Sequence, residues 1–332
     1  MKILFINSAK EWGGNEKWCV AAASGLAARG HDVWFGIRSK KISDRILSEK
    51  VKKVKFPFVN NADILSAIGV WLFCRKCGIE ILVPSKQREY FLAGAAGKML
   101  VGTKVVFRFG IDRPLHTARN RVSFCWFADA VLVNSRAVIH ALAQTRRFDT
   151  DKCRLMYNGV ALPAPGSPAR QEYRAVCGAG NDDILIVCIG RISRQKRFDL
   201  ALHAFSLLAE KTDAARLAII GGGDELNSLQ ALAQNHQHAS RISITGFVEN
   251  VSFWLQASDI FWLTSESEGM ANAMLEAMAH AKPVVAFDIA GVSDIIVNDE
   301  NGVVVPFGDC EAIAQKSVEL MQDSSRCTGL AR

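Results

Sequence analysis

Short apolar runs of strand length alternate with helical segments along this chain, and the alternation starts twice. The first series is "KILFIN" (2–7), a helix over 15–29, "DVWFGI" (32–37), "IEILVP" (79–84), a helix over 88–100, "KVVFRF" (104–109), a helix over 117–127, "AVLVNS" (130–135) and a helix over 136–146. Strand, helix, strand in that order implies βαβ units and a parallel sheet. After the Pro- and Gly-rich "ALPAPGSPAR" (161–170) come "DILIVCIG" (183–190), "LALHAFSLLAEK" (200–211), "RLAIIGGG" (216–223), a helix over 225–236, "RISITGF" (241–247), "DIFWLT" (259–264), a helix in the 270s, "KPVVAFD" (282–288) and "GVVVPF" (302–307). Two doubly wound α/β domains are therefore expected, 1–160 and 183–332, with 161–182 as linker and start of the second. A length of 332 residues fits two cores better than one. Ligands of such sheets bind beyond the carboxyl ends of the strands, so the cleft between the domains is the expected site.

Several classes of protein are excluded at this level. The longest apolar run, "ILSAIGVWLFC" (64–74), is too short to span a bilayer as a helix. "MKILFIN" passes at once into Asn7, Ser8 and Lys10 without a small-residue cleavage site, so it reads as a first buried strand, and the chain is expected to be cytoplasmic. Nine cysteines, scattered and several inside apolar segments (Cys19, Cys125, Cys188), suit reduced thiols. The lone Cys74-Arg-Lys-Cys77 lacks a second pair and reads as packing, not as a zinc or redox motif. No His/Asp cluster offers metal-ligand spacing, so neither metal nor other cofactor is expected. The net charge of +7 divides unevenly: residues 1–160 hold 27 Lys/Arg against 12 Asp/Glu, and 161–332 hold 13 against 21. A basic half attracts anionic substrates, membranes or nucleic acid, or only solubilises.

The chemistry concentrates in the second half. In "SESEGMANAMLEAMAHAKPVV" (265–285), good helix formers make a segment apolar on nearly every face, which predicts burial, yet Glu276 stands inside it and Glu268 eight residues earlier. Gly269 allows close backbone approach, and the following helix start favours a phosphate. In "GRISRQKRFD" (190–199), Arg191 and Lys196 follow a strand that ends at glycine; one fork and one point charge suit a pyrophosphate. Carboxylates accept from vicinal hydroxyls, and eight helical residues rise about 12 Å, the length of a nucleotide sugar from ribose to hexose. The plainer alternatives are a buried helix glutamate paired with an Arg for Glu276, and a helix-start acid serving the dipole for Glu268.

These segments, with "AIIGGGDE", "ITGFVENVSFWLQASDIFWLT", "FDIAGVSDIIVNDENGVVVP" and "MYNGV" (156–160), resemble the retaining nucleotide-sugar glycosyltransferases of family 4. The resemblance runs over about 1–320 and is strongest over 183–307. It implies the GT-B fold, two Rossmann-like domains facing a central cleft, and transfer of a sugar from a nucleoside diphosphate to a hydroxyl of a saccharide or glycolipid acceptor, as in lipopolysaccharide or polysaccharide synthesis. By motif, Glu268 faces the donor sugar and Glu276 the ribose; Arg191 and Lys196 hold the diphosphate, and the backbone of Gly269, Met270, Ala271, Asn272 and Ala273 cradles phosphate and sugar hydroxyls. Phe247 and Val248 lie beside the base, and Gly13 and Gly14 of "EWGGNEK" (11–17) form the glycine loop after strand one.

Two departures stand out. Where the family often has a His, "KVVFRFG" carries Arg108, which with Asp112 and Arg113 is a candidate lining for an anionic acceptor pocket, the alternative being a surface Arg paired with Asp112. His116 is near but off the motif, and the chain stops at "LMQDSSRCTGLAR", short of the last helix the resemblance implies. A binder of nucleotide sugars without turnover is the competing function. A nicotinamide oxidoreductase lacks its G-x-G-x-x-G turn, and a nucleic-acid partner lacks interleaved aromatics. Lys50, Lys52, Lys53 and Lys55 beside "FPFV" (56–59), with Trp71 further on, predict contact with an anionic membrane face.

Overall fold

The computed structural model describes residues 1–60, 63–100, 102–163 and 170–330. It divides into two compact units, Met1–Asn158 and Gly159–Arg332. Most of the Pro-rich stretch expected as linker, residues 164–169, lies outside the described residues.

In the first unit the strands are β1 (Lys2–Asn7), β2 (Asp32–Ile37), β3 (Val51–Lys55), β4 (Ile81–Pro84), β5 (Lys104–Phe109), β6 (Ala130–Val133) and β7 (Cys153–Leu155). They form one parallel sheet in the order β3-β2-β1-β4-β5-β6-β7. β1 is buried from Ile3 to Asn7 because helices cover both faces of the sheet, which is why it reads as a continuous apolar run. The second unit repeats the plan with β8 (Ile184–Ile189), β9 (Ala215–Ile220), β10 (Ile242–Gly246), β11 (Ile260–Leu263), β12 (Val284–Phe287) and β13 (Val303–Val305), ordered β10-β9-β8-β11-β12-β13 and again parallel. Winding starts at β1 in one unit and at β8 in the other and then reverses direction. The reversal opens a crevice at the carboxyl ends of β1 and β4, and of β8 and β11, where loops diverge to opposite faces.

The basic run was expected to lie on a membrane beside exposed aromatics, and the structure corrects half of that. Residues 51–55 are an edge strand whose Lys52, Lys53 and Lys55 point outward. Lysines on an edge strand discourage pairing with another chain, which gives them a structural role of their own. Phe56 and Phe58 are buried in the core and supply no apolar surface. The exposed apolar surface sits instead on the helix Ile64–Cys77, started by Asp63 capping Ser66 N and ended by left-handed Gly78. Its Ile64, Leu65, Ile68 and Leu72 face outward, Leu65 with 82% of its surface exposed. Among the described residues no helix is long and apolar enough to cross a membrane. Cys74 and Cys77 are free thiols on this helix, Cys74 being buried.

The second unit is anchored at its start by the helix Arg170–Val176. Asp259, just before β11, accepts hydrogen bonds from Arg170 Nη2 (2.6 Å), Arg174 Nη1 (2.7 Å) and Leu185 N (2.8 Å). Burial alone would raise this carboxyl, but these donors hold it below the usual carboxylate range.

Candidate functional site

In the second unit, the loops leaving the carboxyl ends of β8 to β12 lock together through glycines. Gly190 N donates to Ile220 O (3.0 Å), Ile192 N to Gly222 O (2.9 Å) and Gly221 N to Gly246 O (3.0 Å). A β carbon at Gly221 would lie 1.8 Å from Gly190 O, one at Gly223 2.0 Å from Ile192 O, and one at Gly291 2.5 Å from Gly269 O. Only glycine permits these approaches.

On this floor stand two of the candidate residues. Lys196, in the loop after β8, donates from Nζ to Glu268 Oε1 (2.5 Å), in the loop after β11; Ser265 Oγ donates to the same oxygen (2.9 Å). The backbones are tied as well, with Glu266 N to Gln195 O (2.8 Å), Gln195 Nε2 to Ser267 O (2.5 Å) and Thr264 Oγ1 to Lys196 O (3.1 Å). Both charged side chains are largely buried, Lys196 at 17% and Glu268 at 12% exposure. β8 and β11 are the neighbours between which the winding reverses, so the pair sits at the crevice of this sheet.

The other candidates surround it. Gly269, Met270 and Ala271 are buried and lead into the helix Asn272–Ala279, whose N-cap Ala271 offers no capping side chain. The helix start therefore presents the amides of Asn272 and Ala273 without a side-chain cap. Glu268 lies before this helix, and Glu276 lies on it, one turn from its start. Glu276 is half-buried, so the expectation of a helix buried all round is corrected: only Met274 and Ala277 are fully enclosed. Arg191 is exposed and pairs with Asp224 Oδ2 (2.7 Å), a partner in the "GGGD" turn after β9. Phe247 is exposed at the end of β10, while Val248 packs on the core.

In the first unit a polar cluster fills the carboxyl ends of β1 and β4, again where the winding reverses. Gly13 is the extended N-cap of the helix Gly14–Ala28, and a β carbon there would come within 3.0 Å of Glu16 Oε2. Buried Glu16 pairs with Lys86 Nζ and accepts from Asn7 Nδ2 (3.3 Å), which also donates to Ser85 Oγ (3.0 Å). Fully buried Glu89 accepts from Ser8 N, from Ser85 N (2.8 Å) and from Lys86 N (3.0 Å), fixing both loops. None of these, apart from the glycines, was singled out in the sequence; a Glu two positions past Gly14 was the available signal.

Burial pushes the Glu89 carboxyl from an ordinary 4.5 up to about 7, against the opposing pull of the Ser85, Ser8 and Lys86 donors. The folded protein thus holds a proton that the unfolded chain releases near pH 4.5, so the stability linked to it is complete below about pH 4.5 and lost as pH rises to about 7. Melting curves of wild type and Glu89→Gln should show the wild type losing ground to the variant across that window and not above it. A pH-independent difference contradicts this.

Of the acceptor-side candidates, Arg108 lies in β5 and Asp112 and Arg113 in the loop after it. Arg108 is buried, not on the surface, and no ion pair with Asp112 is described; its guanidinium lies 4.8 Å over the Trp18 ring and donates from Nη2 to Asn158 Oδ1 (3.1 Å). Asp112 is half-buried, with its carboxyl raised by desolvation; Arg113 and His116 are exposed. Among the described residues, no group of three or more His, Cys, Asp or Glu could hold a metal ion.

Residues 169–331 match the family model of glycosyl transferases group 1. The chain is similar to the lipopolysaccharide core biosynthesis glycosyltransferase LpsE of Rhizobium meliloti, 23% identical over 333 residues that cover 100% of this chain and 92% of LpsE. It is 27% identical to the N-acetyl-alpha-D-glucosaminyl L-malate synthase of Bacillus anthracis over 154 residues, 46% of this chain and 39% of that enzyme. The chain spans about half or less of the length of the first curated relatives it matches. Among solved structures, HepE of Anabaena in complex with UDP and glucose superposes with a TM-score of 0.86 at 18% identity, covering 100% of this chain and 92% of that one. The two Rossmann-like units have the GT-B fold of such structures.

Proposed function

We propose that this chain is a retaining glycosyltransferase of family 4, moving a sugar from a nucleoside diphosphate sugar to a hydroxyl of a saccharide or glycolipid acceptor. The observation that carries the reading is the largely buried Lys196–Glu268 pair at the β8/β11 crevice, beside a helix start without a side-chain cap. A cation and helix amides at one point suit a diphosphate, and a carboxylate next to them suits sugar hydroxyls. Support comes from the glycosyl transferases group 1 match across this unit and from HepE, whose crystals hold UDP and glucose at the same fold.

In this reading Lys196, Arg191 and the amides of Asn272 and Ala273 stabilise the departing diphosphate as the glycosidic bond breaks. Positive groups fixed in advance replace the divalent ion that other transferases use, so turnover is proposed to be metal-independent. Glu268 orients the donor sugar and Glu276 the ribose, while Phe247 lies beside the base. The acceptor hydroxyl attacks from the face the diphosphate leaves, its proton passing to a leaving phosphate oxygen; no enzyme nucleophile is assigned. A binder of nucleotide sugars without turnover is separated by incubating the full chain with UDP-, GDP- and ADP-sugars in EDTA. Slow release of free sugar from one of them is expected, and none from any contradicts the transferase reading.

For the acceptor side, the first unit's basic charge and the outward apolar residues of the helix Ile64–Cys77 favour a lipid-borne acceptor at the inner face of the cytoplasmic membrane. The chain should sediment with anionic but not neutral vesicles, less so as salt rises, and Leu65→Asp with Leu72→Asp should weaken this at every salt concentration. Indifference to anionic vesicles at low salt removes the membrane from the account.

A further inference from the structure

Arg108 poses a problem that the donor site does not solve. Its guanidinium is buried, with 4% of the residue exposed, and burial lowers its pKa from the ordinary range. A buried cation is costly unless an anion or a full set of acceptors compensates it. Among the described residues no carboxylate pairs with it. The neutral Asn158 Oδ1 takes Nη2, the Trp18 ring lies beneath the plane, and Nη1 has no hydrogen-bond partner. Tyr90, whose hydroxyl donates to Arg108 O (2.5 Å), holds the strand and leaves the side chain uncompensated.

A second buried polar atom is unpartnered at the same place. Asn134, in the loop after β6, is 3% exposed, and its Oδ1 lacks a partner. Gly110, which follows β5, brings the two together: a β carbon there would lie 2.5 Å from Arg108 Nη1 and 3.1 Å from both Asn134 amide atoms. The guanidinium, the amide and a residue without a side chain thus converge at the carboxyl ends of the neighbouring strands β5 and β6, in the direction from which such sheets receive ligands.

We infer that Arg108, Asn134 and Gly110 form an oxyanion-binding site in the first unit, which takes a negatively charged, hydroxyl-bearing saccharide: a phosphoryl or carboxylate oxygen on Arg108 Nη1, and a neighbouring hydroxyl donating to Asn134 Oδ1. The inference deepens the proposed function, on which it rests for calling this ligand the acceptor, and it narrows the acceptor to an anionic sugar. A doubly unpartnered donor and acceptor side by side is what a ligand with both an anionic oxygen and a hydroxyl would complete. A neutral sugar would leave the buried charge uncompensated.

The test uses the full chain with glucose 6-phosphate, glucuronate and glucose as probes, read by calorimetry and by the shift of the melting midpoint, in wild type, Arg108→Gln and Arg108→Lys. Both anionic probes, or one of them, should bind wild type at least about tenfold tighter than Arg108→Gln, with partial recovery in Arg108→Lys, and glucose should bind none detectably. The phosphate and carboxylate arms tell which oxyanion is meant. Without probe, Arg108→Gln should melt no lower than wild type, since it removes an uncompensated charge. Equal binding of the anions to wild type and Arg108→Gln overturns the site, even if they bind elsewhere, and glucose binding as tightly as the anions overturns the anionic class. A probe-free melting point well below wild type, with unchanged probe binding, makes Arg108 a packing residue. Nucleoside diphosphate titrated into the same samples separates the two readings: its retention in Arg108→Gln leaves the donor site standing whatever the anions do, and its absence in wild type tells against the donor site alone.

Discussion

Lys196→Met is expected to lower turnover of a nucleotide sugar by about 100- to 1000-fold, the loss seen when one charge-stabilising donor is removed from a preorganised site. The same change leaves Glu268 largely buried without its cation, so stability should also fall, by about 1–3 kcal/mol. The two effects are separable. In Lys196→Met with Glu268→Gln the unpaired charge is gone and stability should return toward wild type, while turnover stays lost. Arg191, exposed and paired with exposed Asp224, gives the contrast: Arg191→Ala should reduce turnover with an unchanged melting point. A Lys196→Met enzyme that loses stability but keeps its turnover would make the pair a structural bridge between two loops and nothing more.

Gly221→Ala should be the most damaging small substitution in the second unit. The residue has a φ of +150°, which side chains rarely adopt, and its new methyl would fall 1.8 Å from Gly190 O, a backbone atom that cannot swing aside. The loops after β8 and β9 must then separate, breaking Gly190 N to Ile220 O and Ile192 N to Gly222 O. A loss of about 3 kcal/mol or more in denaturant unfolding is expected, with loss of nucleotide binding. Gly25→Ala, inside the helix Gly14–Ala28 with only the tip of the Arg29 side chain near, should instead stabilise by about 0.5–1 kcal/mol. Equal melting points for the two variants would show that the glycine floor tolerates more than its geometry allows.

What was legible in the sequence follows the range of the interactions. Buried parallel strands such as β1 and β8 read directly, because sheets covered on both faces leave uninterrupted apolar runs. β3 did not: as an edge strand it keeps one fully buried residue, Val51, and its three lysines read as charge density. Lys196 and Glu268 were each visible as chemistry beside a glycine, but their pairing joins residues 72 apart through the order of the strands, which no local pattern carries. Glu89 and Glu16 were silent for the same reason, since Glu89 serves Ser8 at a separation of 81 residues. Arg108 was noticed as a departure from a motif; that it is buried and half-partnered depends on Trp18, Asn134 and Asn158 converging from three segments.

A nucleoside diphosphate held on the β8/β11 crevice of the second unit should show itself when the nucleoside diphosphates are titrated into wild type and Glu276→Gln by calorimetry. The amide keeps the size of the carboxylate, and the half-buried position on the helix Asn272–Ala279 should keep the fold. Saturable binding to wild type, weakened by about 1.5–3 kcal/mol in the variant, is the predicted result, since a hydrogen bond from ribose to a charged group is replaced by a neutral one. Equal affinity in the two proteins would contradict the account and return Glu276 to the role of an ordinary helix glutamate.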